Sequence, residues 1–449
     1  MSGSTSMADS MHVHHVSGLR LERGSVVVPL DYSRVLEGDI AIFYRVVTSR
    51  CKNAKNLPYL VYLQGGPGFE APRPMLANGW IKSAVQHYQV VLMDQRGTGL
   101  SHAITCDGLK ARDAPEQVDY LSCFRADSIA KDCERVRQKL ALSGKWSVIG
   151  QSYGGFCAMT YLSYFPDSIM EVFLTGGVPP GIRMNCSAEM VYKSTFRKAI
   201  KQNEKFYARF PQAVAMAQKV VRFLMSSPDG RVVTPASNYL TPRSFQVLGI
   251  NCLGFSSGFE RLYYMLESAF DIDGNLSYKF LKEFDAAMPW DSNPLYAIMH
   301  ENIYCQGNSS SDWAAHRVRG DHSALFDAEA SVTAGNPVYF TGEMVFPWMF
   351  DDFAELRKIK QAAHAMATHT NWSTLYLPET LSANTVPIAA ACYYEDMFVS
   401  FELAQETLDM VGSARQYVTN DYLHDGIREQ GGPIFEKLLN IVRGGALLR

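Results

Sequence analysis

Gly150-Gln151-Ser152-Tyr153-Gly154 is the stretch that most restricts how this chain can fold. A β-prone run, Lys145 to Ile149, leads into it, and a helix-compatible run, Phe156 to Phe165, leads out. Glycine-x-serine-x-glycine between a strand and a helix is a nucleophile elbow: the serine sits on a strained turn with its hydroxyl open to a base. The flanking glycines let strand and helix approach without Cβ clashes. Five residues alone are a weak signal, since Gly254-Phe255-Ser256-Ser257-Gly258 also fits the pattern. That copy follows a run without strand alternation, Phe245 to Leu253, so Ser256 reads as a packing or capping serine and Ser152 as the nucleophile.

The chain around the elbow alternates between strand and helix. Ser25 to Leu30, Ile40 to Val47, Tyr59 to Leu63, Gln89 to Asp94 and Glu171 to Thr175 read as strands. Met75 to His87 and Ser128 to Leu142 have helical spacing, the second with Ile129, Cys133, Val136 and Leu140 on one side. The run ending at Asp94 is apolar throughout, as expected of a parallel strand covered on both faces. The alternation breaks after Pro179-Pro180 and resumes at Val386 to Cys392, with a helix-like Ser400 to Val411, a last strand Arg415 to Thr419 and a terminal helix Pro433 to Arg443. Between them helical stretches dominate, such as Ser194 to Tyr207, Ala213 to Met225 and Phe259 to Phe270. The expected fold class is therefore α/β: an α/β-hydrolase fold, mostly parallel sheet flanked by helices, with a large, mainly helical cap inserted at the edge where ligands bind. The expected division is a disordered tail over 1–18, core over 19–180, helical cap over 181–380 and core again over 381–449.

Composition narrows the partners. The net charge is −3 with no long basic run, which argues against nucleic acid and against electrostatic attachment to a membrane. No apolar stretch reaches the length of about 18 residues needed to span a bilayer. The Ser- and His-rich start has neither the basic nor the apolar region of a secretory signal, and His12, His14 and His15 belong to a tail rather than a metal site. Nine scattered cysteines without a C-x-x-C pair argue against a zinc ribbon or disulfide framework and suggest a reducing compartment, most simply the cytosol. No metal and no cofactor is expected; the oligomeric state is not readable.

An elbow serine needs a base, an acid to orient it, and donors for an oxyanion. In this layout the chain order is serine, acid, histidine. His424, in Asn420-Asp-Tyr-Leu-His-Asp-Gly426, follows the last strand and is the expected base. Glu395 and Asp396 follow the strand Val386 to Cys392; Asp396 is preferred because it lies where the turn begins, with Asp425 a third choice. Gln64-Gly65-Gly66-Pro67-Gly68 ends a strand expected beside the elbow. The N–H groups of Gly65, Gly66 and Tyr153 are thus the expected oxyanion donors. Asp94-Gln-Arg-Gly-Thr-Gly99 lacks the Gly-Lys-Ser/Thr ending of a phosphate loop and reads as a turn supporting the oxyanion loop, with Arg96 in structural hydrogen bonds.

Gly65-Gly-Pro-Gly68, Asp94-Gln-Arg-Gly-Thr-Gly-Leu-Ser101, Phe124-Arg-Ala-Asp-Ser-Ile129 and Gly150-Gln-Ser-Tyr-Gly-Gly-Phe156 together resemble the proline iminopeptidases, or prolyl aminopeptidases. These are serine exopeptidases of the α/β-hydrolase fold, and the likeness points to their larger-capped subgroup. His300-Glu-Asn-Ile-Tyr-Cys305, Gly342-Glu-Met-Val-Phe-Pro-Trp348, Glu395-Asp-Met397 and His424-Asp-Gly426 are similar to that subgroup as well. Gln64 is a departure, since the family often has histidine there. The resemblance implies release of N-terminal proline, and of other small residues, from short peptides through an acyl-enzyme. It also implies acidic cap residues that bind the free amine, and Glu301 and Glu343 match those motifs, Glu301 more firmly. A carboxylate pair suits a cationic terminus and excludes N-blocked peptides. Phe346 and Trp348 are candidates for an apolar wall against a proline ring. Two other readings stand beside this one: a carboxylesterase or other acyl hydrolase on the same fold, and a non-catalytic binding protein of that fold.

Overall fold

The apolar runs on either side of the elbow become neighbouring strands of one sheet. The computed structural model describes residues 12–51, 54–141, 144–182 and 186–444. Its sheet strands are β1 (Val13–Val16), β2 (Leu19–Pro29), β3 (Asp39–Ser49), β4 (Tyr59–Leu63), β5 (Gln89–Met93), β6 (Trp146–Gln151), β7 (Ile169–Thr175), β8 (Ile388–Tyr393) and β9 (Ala414–Thr419). Their spatial order is β1-β2-β3-β5-β4-β6-β7-β8-β9. The pairs β1–β2, β2–β3 and β3–β5 are antiparallel, and every pair from β5 to β9 is parallel. Gln64, Ser152, Asp396 and His424 all follow the carboxyl ends of parallel strands, the edge at which an open α/β sheet binds ligands.

Each central strand is covered on both faces, and its side chains alternate between two cores. On β8, Ile388, Ala390 and Cys392 face one core and Ala389, Ala391 and Tyr393 the other. The first core receives α1 (Ala126–Ala141) and α2 (Tyr153–Tyr164). Ile129, Cys133 and Val136 of α1 are fully buried there, as their spacing requires, each apolar side chain contributing about 2 kcal/mol. The opposite core receives the short helix Gly79–Ala84 and the C-terminal helix Gly431–Val442.

Between β7 and β8 the chain is mainly helical, including α3 (Ala188–Arg209), α4 (Ala213–Ser226), α5 (Gly258–Glu267) and α6 (Ala314–Asp321), and it packs round a third apolar core that also takes in Ile104, Leu121, Phe124 and Phe398. Ser187 caps α3 by accepting from the Met190 N–H, which offsets one orphan donor of the first turn. No described helix is long and apolar enough to cross a membrane.

One expectation is corrected here. Residues 13–16, read as part of an unstructured tail, form β1, paired in register with residues 19–22 of β2. A tight turn at Ser17-Gly18 returns the chain, and Gly18 takes the left-handed φ of 81° that such a turn demands. The rest of that tail, residues 1–11, lies outside the described residues.

Candidate active site

β6 ends at Gln151 and α2 begins at Tyr153, so Ser152 must reverse the chain in a single residue. It does so at φ 55° and ψ −129°, a conformation that costs a non-glycine residue on the order of 1–3 kcal/mol. The surroundings hold it there: Ser152 N–H donates to the Thr175 carbonyl at 3.0 Å, and the Ser152 carbonyl accepts from Gly155 N–H at 2.7 Å. A Cβ on Gly154 would collide with the Leu63 carbonyl, so only glycine lets the elbow helix settle against β4.

His424 Nε2 lies 2.9 Å from Ser152 Oγ, and His424 Nδ1 lies 2.8 Å from Asp396 Oδ2. A carboxylate only accepts, so Nδ1 carries the proton and Nε2 is left to accept from the serine hydroxyl. The other Asp396 oxygen accepts from the N–H groups of Phe398 (2.8 Å) and Val399 (3.0 Å), which fixes the carboxylate plane. Phe398 stacks on the imidazole at 4.5 Å and 18°. Burial opposes protonation of His424, but the charge and hydrogen bond of Asp396, helped by Glu343, outweigh it and raise its pKa. The other two carboxylates considered for this role point elsewhere. Glu395 pairs with Lys205. Asp425 accepts from the N–H (3.0 Å) and hydroxyl (2.8 Å) of Ser256, which ties the inserted helical region to the histidine loop.

Gly65 and Gly66 line the cavity above Ser152. A Cβ on Gly65 would come within 2.8 Å of the Ser152 Cβ, and Gly66 has φ 129° with a cis bond to Pro67, so the loop approaches the nucleophile with bare backbone. Tyr153 is the first residue of α2, where an N–H has no acceptor within the helix. The loop is braced from below: Gln95 Nε2 donates to the Gln64 carbonyl at 3.1 Å, and Tyr62 donates its hydroxyl to Gln64 Oε1 at 2.7 Å. Arg96 anchors that brace. Buried completely, it forms two 2.7 Å hydrogen bonds to Asp132 and donates to the Leu30 and Cys123 carbonyls.

The cavity encloses about 730 Å³ and is lined by Ser152, His424 and Glu343 together with Phe69, Ile250, Phe255, Tyr296 and Phe398. Glu343 is buried; its Oε1 accepts from the Tyr296 hydroxyl at 2.7 Å, and its Oε2 faces His300 Nε2 at 3.9 Å. Burial pushes its carboxyl up to about 7, against the pull of His424 and the Tyr296 hydrogen bond. Burial also pulls His300 down to about 4, so this neighbour is neutral.

Glu301 stands outside the cavity lining, and each of its oxygens accepts a backbone hydrogen bond. They accept from Ala314 N–H at 3.0 Å and Ala315 N–H at 2.9 Å, the first two donors of α6. The N-cap position there is Trp313, which has no side-chain acceptor, so Glu301 supplies the missing cap and the favourable negative charge. Phe346 and Trp348 are likewise outside the lining; they stack on each other at 5.2 Å within the helical region's core. Sequence reasoning missed Glu70 and Arg428, both on the cavity wall. Their positions, two residues beyond Gly68 and four beyond His424, were the available signal. Among the described residues no group of three or more His, Cys, Asp or Glu side chains is placed to hold a metal ion.

The model of the alpha/beta hydrolase fold family matches residues 58–221. A proline iminopeptidase of Aeromonas sobria is 44% identical over 436 residues, covering 97% of this chain and 99% of that protein. Proline iminopeptidase aneH of Aspergillus aculeatus is 34% identical over 427 residues, covering 92% and 91%. Among solved structures, the proline iminopeptidase of Mycobacterium smegmatis covers 94% of this chain and 98% of its own at 13% identity, with a TM-score of 0.44. With near full-length identity at this level on both relatives, the chain belongs to the proline iminopeptidase family.

Proposed function

We propose that this protein is a serine exopeptidase that releases N-terminal proline from short peptides with a free amine. The observation that carries the reading is the buried carboxylate of Glu343 in the same cavity wall as Ser152 and His424. Ser152 Oγ attacks the carbonyl carbon of the N-terminal residue while His424 Nε2 takes the hydroxyl proton, and Asp396 stabilises the imidazolium. The N–H groups of Gly65, Gly66 and Tyr153 hold the oxyanion that forms. Collapse of the tetrahedral intermediate breaks the C–N bond, His424 returns the proton to the departing amine, and water releases the acyl group by the same steps in reverse. Glu343 binds the prolyl ammonium by a charge-assisted hydrogen bond, which a blocked N-terminus cannot make. Nine free thiols, including the exposed Cys51, support a reducing compartment, the cytosol, as the place of action.

The test is hydrolysis of prolyl, alanyl, leucyl and N-acetylprolyl p-nitroanilides and of a short acyl ester, by wild type and Ser152→Ala. Prolyl cleavage that disappears in the variant and is absent for acetylprolyl supports the reading. Ester cleavage without amide cleavage would replace it with a carboxylesterase.

A further inference from the structure

The reaction cavity does not end at the nucleophile. Gln64, Glu70 and Arg428 line both it and an adjoining groove of about 680 Å³ whose walls include Trp80, Met75 and Leu76. Arg428 follows His424 by four residues, in the one-turn helix Gly426–Glu429, and the leaving nitrogen must sit against His424 Nε2 to collect its proton, so we assign this groove to the leaving-group side. A peptide bound with its amine at Glu343 therefore runs from the nucleophile toward Arg428.

The charges along this path are unequal. Glu70 is paired with Arg73 at 3.5 Å, and Arg73 also makes a two-pronged contact to the buried Asp94. The exposed Arg428 guanidinium makes no side-chain hydrogen bond or ion pair among the described residues, and its charge is felt at His424, Tyr62 and Tyr296. The cavity thus has an acidic end beyond the nucleophile on the acyl side and an uncommitted cation on the leaving-group side. A zwitterion matches that layout, and guanidinium binds a carboxylate through two parallel N–H donors.

We infer that Arg428 is a specificity residue that binds the C-terminal carboxylate of the shortest peptide substrates, so that free dipeptides are preferred over the same sequences with a neutral C-terminus. This rests on the peptidase reading of the site. It also explains why the cation stands at the mouth shared by the two cavities instead of being paired within the fold.

The experiment compares kcat/KM for the dipeptide Pro-Ala and its C-terminal amide, at low ionic strength, in wild type, Arg428→Gln, Arg428→Lys and Arg428→Glu. The readout is the acid-to-amide ratio within each protein, which a partly misfolded variant cannot mimic. Wild type should favour the acid by about tenfold, carried mainly by KM. The ratio should fall to about one in Arg428→Gln, recover in part in Arg428→Lys, invert in Arg428→Glu, and shrink in wild type at high salt. An unchanged ratio in Arg428→Gln, or no preference in wild type that still cleaves prolyl p-nitroanilide, would overturn the inference and leave the peptidase reading intact. Failure of wild type on every prolyl substrate would sink that reading, and this inference with it.

Discussion

The Tyr296 hydroxyl donates to Oε1 of Glu343 across 2.7 Å, inside the cavity that holds Ser152. One carboxylate oxygen is thereby oriented while the other faces neutral His300, at 3.9 Å. A carboxylate in that state is ready to receive a cation and poorly served without one. Glu343→Gln should therefore raise KM for prolyl p-nitroanilide by about 100-fold and change kcat less, as expected for loss of a buried charge-assisted contact. Steady-state kinetics on the purified variant checks this; an unchanged KM would remove Glu343 from amine binding.

Glu301→Gln should behave differently. An amide still accepts on one side, but it loses the charge and presents an NH2 to one of the two α6 donors that Glu301 now satisfies. The expected outcome is a loss of about 1–3 kcal/mol in stability with KM within about twofold of wild type. Thermal unfolding and kinetics on the same preparation separate the two glutamates.

The pH dependence follows from the raised carboxyl of Glu343. Its folded pKa of about 7 exceeds the ordinary glutamate value of 4.5, so the native state binds more protons than the unfolded chain between those values. Its contribution to stability is full below about pH 4.5 and is lost as pH rises through about 7, by about 3 kcal/mol. Denaturant titrations should show this slope in wild type and a shallower one in Glu343→Gln. In activity, the acid limb of kcat/KM reports both Glu343, which must be ionised in the free enzyme, and His424, whose raised pKa must be passed before it can act as base. The limb should therefore be steeper in wild type than in Glu343→Gln, which keeps only the His424 ionisation; equal limbs in the two proteins would contradict this assignment.

Asp396→Asn should leave the fold intact and lower kcat by about 10³–10⁴-fold, because an amide facing Nδ1 can favour the wrong imidazole tautomer. Circular dichroism together with single-turnover kinetics tests both halves of that statement.

Arg96→Met removes one member of a buried ion pair and leaves Asp132 without its two guanidinium bonds, retaining only the Tyr32 hydroxyl at 2.9 Å. The expected cost is about 3–5 kcal/mol. Because Gln95 braces the Gln64–Gly68 loop proposed to hold the oxyanion, kcat should fall as well. Restored stability in Arg96→Met/Asp132→Leu, with kcat still low, would identify the loop as the cause.

The sheet was legible where its signal is local. The runs at Tyr59, Gln89, Trp146 and Ile388 are apolar because both faces are covered, and the elbow needs only five residues and its flanks to be read. The order of Ser152, Asp396 and His424 was readable because each follows a strand end. β1 was not, because Val13–Val16 owes its conformation to β2 and not to its own polar composition. Glu301 and Glu343 looked alike because each sits in a family motif. What separates them is a helix starting at Ala314, after a residue that cannot cap it. The cavity wall was the least legible part, since Phe69, Ile250 and Tyr296 meet there from segments distant in the chain.

The two hydrogen bonds from Ser256 to Asp425 reach the residue directly after His424. The backbone that carries the imidazole is therefore anchored to the helical region at the very next residue, so the seat of His424 against Ser152 depends on a contact made outside the triad.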